Sequence, residues 1–354
     1  MKTLAHALAF IYLIQMLSAY RCAADEKTEV HLRLSGSEET VFAELQEMIA
    51  DSRNHSVQSL TITHTQLTDR VGSLVARFPS LQTLKIGGGA GSLETFVDVG
   101  FYRHLSQLRT LRSLRLIECV DRPYGDSVVT SIAFVENLSA LEHLELDLSV
   151  TEQDLSRIVH LPNLESIVFE RKPTGSSEER WYKLVHKSSL QKLVIGDFPE
   201  DLSIHNVFAN PSDISIKELS VLRIHRSRIW SGKDVEVLAA IKGLASLQIG
   251  TINARDITLL TPLKHLTDLD VRTKGNVNRI QVVRSSQRLR KLTVVCDLFD
   301  AHSDLANHPS LSEVTIGERS KMAGTDESMG KQEKGKRVVN RKPTGAEETN
   351  EAID

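Results

Sequence analysis

Apolar residues along this chain alternate between two spacings. A short string with apolar first, fourth and sixth positions, L-x-x-L-x-L, recurs from Val57 to Ile316. It stands at Val57-Leu60-Ile62, Leu81-Leu84-Ile86, Leu111-Leu114-Leu116, Leu141-Leu144-Leu146, Leu164-Ile167-Phe169 and Leu190-Leu193-Ile195. It continues at Leu219-Leu222-Ile224, Leu244-Leu247-Ile249, Leu266-Leu269-Val271, Leu289-Leu292-Val294 and Leu311-Val314-Ile316. The last two apolar positions lie two residues apart, so both point to one side of a short strand. Between strings the spacing becomes helical: Leu67, Val71, Leu74, Val75 and Phe78 share one helix face. Thr151-x-x-Asp154, Ser176-x-x-Glu179 and Ser231-x-x-Asp234 read as capping boxes that open helices. Ahead of the first string, Val30-Leu32-Leu34 predicts a strand that starts the sheet. Glu38 to Asp51 predicts an amphipathic helix carrying Val41, Leu45, Met48 and Ile49.

Repetition at a period of about 22 to about 30 residues, in about eleven near-regular copies, resembles the leucine-rich-repeat family over roughly residues 57–317. The resemblance implies an α/β leucine-rich-repeat solenoid, a curved parallel sheet with helices on the convex side. No unit of such a stack buries its own core, so stability comes from neighbours. The expected organisation is a signal peptide over 1–24, an N-terminal strand and capping helix over 25–56, repeats over 57–318 and a disordered polar tail over 319–354. The family favours Asn or Cys three residues after the last strand leucine, where the side chain bonds backbone between turns. Only Cys119 meets that expectation. Cysteine-rich caps, common in extracellular members, are missing.

In this architecture the residue between the last two apolar positions faces solvent on the concave side, a column from Thr61 to Thr315. A second outward column runs from Thr63 to Gly317. The expected partner-binding residues are Lys85, Arg115, Glu145, Asp147, Glu170, Arg223, His225, Gln248, Asp270 and Arg272. Glu145, Asp147 and Glu170 would form an acidic patch beside Arg115. Arg223, His225 and Arg272 would form a basic one further along.

Targeting signals change the picture. Lys2, the apolar stretch Leu4 to Leu17 and the small residues Cys22-Ala23-Ala24 read as a cleavable export signal, with cleavage expected after Ala24. Cleavage removes Lys2 and Arg21 but no acid, moving the formal charge from -3 to -5. That balance gives no support for nucleic-acid binding. No later segment is apolar enough to span a membrane. Only Cys119 and Cys296 remain after cleavage. They belong to units about seven strands apart, on the order of 30 Å in a stacked sheet, too far to bridge. From about Ser320 the pattern stops, and the polar composition to Asp354 cannot bury a core. The basic cluster Lys331 to Lys342 in this tail reads as a solvated linker or as a nuclear-import segment.

Candidate chemistry is sparse. The chain has no H-E-x-x-H, Walker lysine loop or G-x-S-x-G elbow, and its histidines show no metal-ligand spacing. No cofactor and no enzymatic activity are expected. Gly87-Gly88-Gly89 reads as an inter-repeat turn. Asn54-His55-Ser56 and Asn137-Leu138-Ser139 fit the N-glycosylation pattern, Asn54 being the preferred acceptor. Arg109-Thr110-Leu111-Arg112 matches the R-x-L-R host-entry string of oomycete effectors. Leu111 is a repeat leucine, however, so the match is read as coincidence.

The resemblance therefore implies a secreted, non-enzymatic scaffold that binds a protein partner. Export with few cysteines favours an effector working inside a host cell. An extracellular ligand-binding protein is the alternative. The repeats also resemble the substrate-binding half of F-box adaptors of ubiquitin ligases, although no F-box precedes residue 57.

Overall fold

The computed structural model describes residues 30–63, 65–87, 95–117, 119–121, 132–147, 150–170, 177–196, 204–208, 219–224, 232–306, 308–318 and 336–340. The strands in chain order are β1 (Val30–Ser35), β2 (Val57–Thr63), β3 (Gln66–Leu67), β4 (Thr83–Gly87), β5 (Thr95–Val97) and β6 (Ser113–Ile117). Next come β7 (Cys119–Asp121), β8 (His143–Leu146), β9 (Ser166–Phe169), β10 (Lys192–Ile195), β11 (Val221–Ile224) and β12 (Ser246–Asn253). The last are β13 (Asp268–Lys274), β14 (Asn276–Val277), β15 (Lys291–Cys296), β16 (Leu298–Phe299), β17 (Glu313–Glu318) and β18 (Lys336–Asn340). One sheet runs β1-β2-β4-β6-β8-β9-β10-β11-β12-β13-β15-β17-β18, every pairing up to β17 being parallel. Two small ribbons, β3-β5-β7 and β14-β16, lie outside it.

The register follows from the apolar spacing. Leu32, Leu60, Leu84, Leu114, Leu144, Ile167, Leu193, Leu222, Leu247, Leu269, Leu292 and Val314 sit opposite one another from strand to strand. Two residues on, the ladder from Leu34 through Ile62, Leu116 and Phe169 to Val294 points the same way and is buried. A slip of one residue would turn both ladders into solvent, so burial fixes the register. The helices cover this side. Helix Glu38–Ala50 is capped by the Ser37 side chain and buries Val41, Leu45 and Met48 at the N-terminal end. Helix Glu178–Val185 buries Trp181, whose ring meets Phe169 of β9 edge-on at 5.6 Å. Strands stack about 4.8 Å apart and packed helices about 8–10 Å apart, so the sheet lies on the inner, concave side. This is the α/β leucine-rich-repeat solenoid read from the spacing. The unit that follows Pro199 and Pro211 stays in line, β11 pairing with β10 and β12 through all four of its residues.

Two other devices take the place of the missing asparagines. At the turns into the strands, a side chain just before the first repeat leucine donates to a carbonyl of the preceding unit. Thr110 bonds Leu81 at 2.9 Å, Asn163 bonds Ser139 at 2.9 Å, Ser189 bonds Leu164 at 2.7 Å and Ser310 bonds Leu289 at 3.1 Å. On the helical side, buried aspartates accept from the backbone N–H of the preceding unit: Asp154 from Ile132 (3.2 Å), Asp234 from His205 (3.1 Å) and Asp304 from Ile280 (2.7 Å). Where the group is buried, as the Ile132 and Ile280 amides are, leaving it unpaired would cost about 1–3 kcal/mol. The Thr151–Asp154 capping box forms as read. The next helix departs from the reading: its N-cap is Ser177, and the Ser177 hydroxyl donates to Glu152 at 3.0 Å instead of closing a box. Ser176 and Ser231 lie outside the described residues.

The tail contains one element that its composition conceals. Lys336–Asn340 pairs antiparallel with β17 and covers the last edge of the sheet. Val338 and Val339 are β-branched and suit a strand, and the pairing satisfies edge groups that would otherwise face solvent. Average composition over the tail hides so short a run. The rest of the tail, with Lys331, Arg341 and Lys342, lies outside the described residues, as do residues 1–29. No helix among the described residues is long and apolar enough to cross a membrane.

Candidate protein-binding face

Three outward rows of side chains cover the concave sheet. The middle row holds Lys85, Arg115, Glu145, Val168, Val194, Arg223, Gln248, Asp270 and Thr293, each opposite the next in register. Thr61 precedes Lys85 in it, and Thr315 at its far end is only 8% exposed. A second row, Ser113, His143, Ser166, Lys192, Val221, Ser246, Asp268 and Lys291, runs alongside it. The sequence reading left this row out. Its signal was present: alternation along a strand puts the residue before the second repeat leucine on the same side as the one after it.

The third row is the outward column that began at Thr63, and here the structure departs from the expectation. Thr63 is 1% exposed, so the column does not open to solvent at its start. Farther on, β12 carries an irregularity between Ile249 and Thr251, which sets Thr251 rather than Gly250 opposite Arg272. Gly196 occupies this row because nothing larger fits. A Cβ there would lie 2.5 Å from the Glu170 carbonyl oxygen, where the Gly196 N–H already bonds Phe169 at 2.6 Å.

Electrostatics rearrange the expected patches. Arg115 donates to both carboxylate oxygens of Glu145, at 2.6 and 3.0 Å, a bidentate pair across β6 and β8. Beside it Arg112 pairs Glu142 at 3.0 Å. Glu145 is therefore neutralised; of the other two, Asp147 is half-buried and Glu170 exposed. Arg223 and Arg272 are exposed but stand on β11 and β13 with β12 between them, and Asp270 lies two residues from Arg272 on the same strand. They do not form one basic patch, because register and not sequence order sets who neighbours whom. His225 lies outside the described residues. At the C-terminal end Lys291 meets Glu313 at 2.8 Å, and that hydrogen bond, with the glutamate's charge, raises the lysine above its ordinary value.

The face is hollowed over β6 to β11. A groove of about 500 Å³ is lined by Arg115, Glu145, Val168, Lys192, Val221 and neighbouring polar residues. It contains no arrangement suited to metal binding: among the described residues no three His, Cys, Asp or Glu side chains cluster to hold an ion.

The two glycosylation candidates exchange rank. Asn54 is 8% exposed, and its Nδ2 donates to the Arg77 carbonyl at 2.6 Å. Asn137, at the end of the 3-10 turn Ala133–Asn137, is exposed. Leu111 is fully buried, so the R-x-L-R string is not displayed as a linear motif. Cys296 is buried; the side chain of Cys119 is not among those described.

In-register apolar ladders, helices on one side and an open strand face on the other define a leucine-rich-repeat solenoid. No family model and no curated protein matches the chain. Among solved structures, internalin C2 of Listeria monocytogenes is similar at 20% identity over 61% of this chain and 83% of that one, with a TM-score of 0.40. Internalin F of Listeria monocytogenes is similar at 17% identity over 77% and 82%, TM-score 0.43. A leucine-rich-repeat protein of Leptospira interrogans is similar at 13% identity over 81% and 83%, TM-score 0.35. The assignment of fold class rests on the register and burial described above.

Proposed function

We propose that this chain is an exported, non-enzymatic scaffold that binds one protein partner through its concave sheet face, between Lys85 and Arg272. The observation that carries the reading is the face itself: rows of outward side chains on one continuous sheet, hollowed into a groove lined by charged, polar and a few apolar residues. Rigid presentation lowers the ordering cost of binding, and charged rims steer a partner. Export is supported by the leader-like residues 1–24. The scarcity of cysteine favours a protein that works in a reducing compartment, as an effector inside a host cell would. The exposed sequon at Asn137 favours the second reading, an extracellular recognition protein. A role as the substrate-binding part of a ubiquitin-ligase adaptor is a third reading, resting on the resemblance of the repeats alone.

Affinity purification with mass spectrometry tests this, using the chain as bait in lysate and in secreted fluid. Bait with Glu145, Asp147 and Glu170 reversed, or with Arg223 and Arg272 reversed, should lose the partner that the unaltered bait retains. A partner retained by both would move the binding site off this face. A cytosolic partner supports the effector reading, and a cell-surface or soluble extracellular partner supports the alternative.

A further inference from the structure

We infer that the last edge of the sheet, along β17, is a strand-addition site. The chain's own tail strand β18 closes it, and an extended segment of a protein partner enters it when that strand leaves. The inference concerns the sheet edge and goes beyond the concave-face reading above. The two ends of the sheet are closed by different means. At the first end β1 lies beside β2, and the helix Glu38–Ala50 joins the stack through buried Val41, Leu45 and Met48. At the last end the strand Lys336–Asn340 lies beside β17, from Glu313 opposite Asn340 to Gly317 opposite Lys336. It runs antiparallel, against the direction of every other described pairing in the sheet. Its connection to β17, residues 319–335, far exceeds the about two to five residues of a hairpin loop. That is too long to be the tight turn that fixes an ordinary hairpin.

A strand held this way is exchangeable. Each backbone hydrogen bond contributes, net, about what ordering one residue costs, so so short a pairing is close to balance. The tail thus holds the edge as a tethered ligand, at an effective concentration on the order of millimolar. The edge itself is built for pairing. Val314 and Thr315 stand at the middle of β17, opposite Val339 and Val338. β-Branched residues opposite one another suit an antiparallel pair. When the tail leaves, β17 presents a row of unpaired N–H and C=O groups, the template onto which another strand adds. The fitting occupant is an extended segment with β-branched residues at its centre. It has no proline across the paired positions, since proline has no N–H to give to the ladder.

A fluorescent peptide of residues 334–342 tests this by anisotropy against two full-length chains. One is unaltered, and the other carries Val338→Pro and Val339→Pro, which deny its own tail the pairing. The peptide should bind the proline-tail chain at least about tenfold more tightly, because it no longer competes with a tethered strand. Hydrogen exchange in that chain should quicken along β17 and stay unchanged in β15, and circular dichroism should report the same fold for both chains. A second peptide with the same two prolines keeps every charge of the first and should bind neither chain. It separates strand pairing from the attraction of a basic peptide to a chain of net charge -3. Equal binding of the first peptide to both chains, binding to neither, equal binding by the proline peptide, or unchanged exchange along β17 would overturn the inference. The concave-face variants do not alter this edge. Failure of the peptide therefore removes this inference and not the face reading, and a partner indifferent to the face variants removes the face reading and not this one.

Discussion

Replacing Asp154 with alanine should cost about 2–4 kcal/mol of stability, far more than loss of an exposed helix carboxylate would. The side chain is 1% exposed. It accepts from the Thr151 N–H at 3.2 Å and the Thr151 hydroxyl at 2.6 Å, and it meets Arg157 at 3.0 Å. It also accepts from the Ile132 N–H at 3.2 Å, which belongs to the unit before. Loss of the capping box costs about 1 kcal/mol. An orphaned Ile132 amide, buried with its residue, costs about 1–3 kcal/mol more. Arg157 keeps Glu136 at 2.7 Å and adds little to the loss. The comparison is Glu179→Ala, which breaks the exposed Lys183 pair four residues along a helix. That should leave stability nearly unchanged, since the pair is fully screened by solvent. Urea unfolding followed by circular dichroism measures both, and hydrogen exchange at the Ile132 amide locates the damage. A stack of repeats can open in parts, so the exchange measurement matters as much as the midpoint. Equal, small losses for the two variants would refute the claim that buried aspartates tie one unit to the next.

Gly196→Ala should lower stability by about 1–3 kcal/mol, because the added carbon meets backbone that cannot yield; a thermal melt checks it. Burial pushes the imidazoles of His186 and His265 below their ordinary value of 6.5. The folded chain therefore holds them neutral, while the unfolded chain takes up protons near pH 6.5. Their stability contribution is present above that pH and is lost as pH falls toward the folded values. Urea midpoints should drop between pH 7.5 and 5.5, and less so in a His186→Gln, His265→Gln double variant; an equal drop would contradict this. Glu44, raised by burial and by Glu47, acts in the opposite sense, in the more acidic carboxylate range. Expression through a eukaryotic secretory route should give a glycan at Asn137. Asn137→Gln would abolish the gel shift, while Asn54→Gln would leave it and destabilise the fold by removing the bond to Arg77.

The apolar ladders were legible because burial on one side of a parallel sheet writes itself as spacing: Leu60 to Ile62 and every later pair read correctly. The open face was legible in part. Arg115 and Glu145 were named as neighbours, but their mutual neutralisation depends on side-chain geometry that no spacing reveals. Lys192 was overlooked although the same alternation that found Val194 places it on the face. The break at Gly250 needed the register of β12 against β13, which a one-residue irregularity sets locally. The substitutes for the asparagine ladder were hidden because Thr110, Ser189 and Ser310 look like ordinary turn residues until the preceding carbonyls are placed beside them. The strand Lys336–Asn340 escaped because a five-residue run vanishes in a polar tail.

Site-specific photo-cross-linking tests the central claim most directly. A benzophenone side chain is placed at Gln248 on the concave face in one chain and at Lys233 on the opposite side in another, and each is irradiated with the purified partner. Binding through the sheet predicts a cross-linked product from position 248 and none from position 233. The reverse outcome would contradict the account, placing recognition on the helical side and leaving the open face without the role assigned to it.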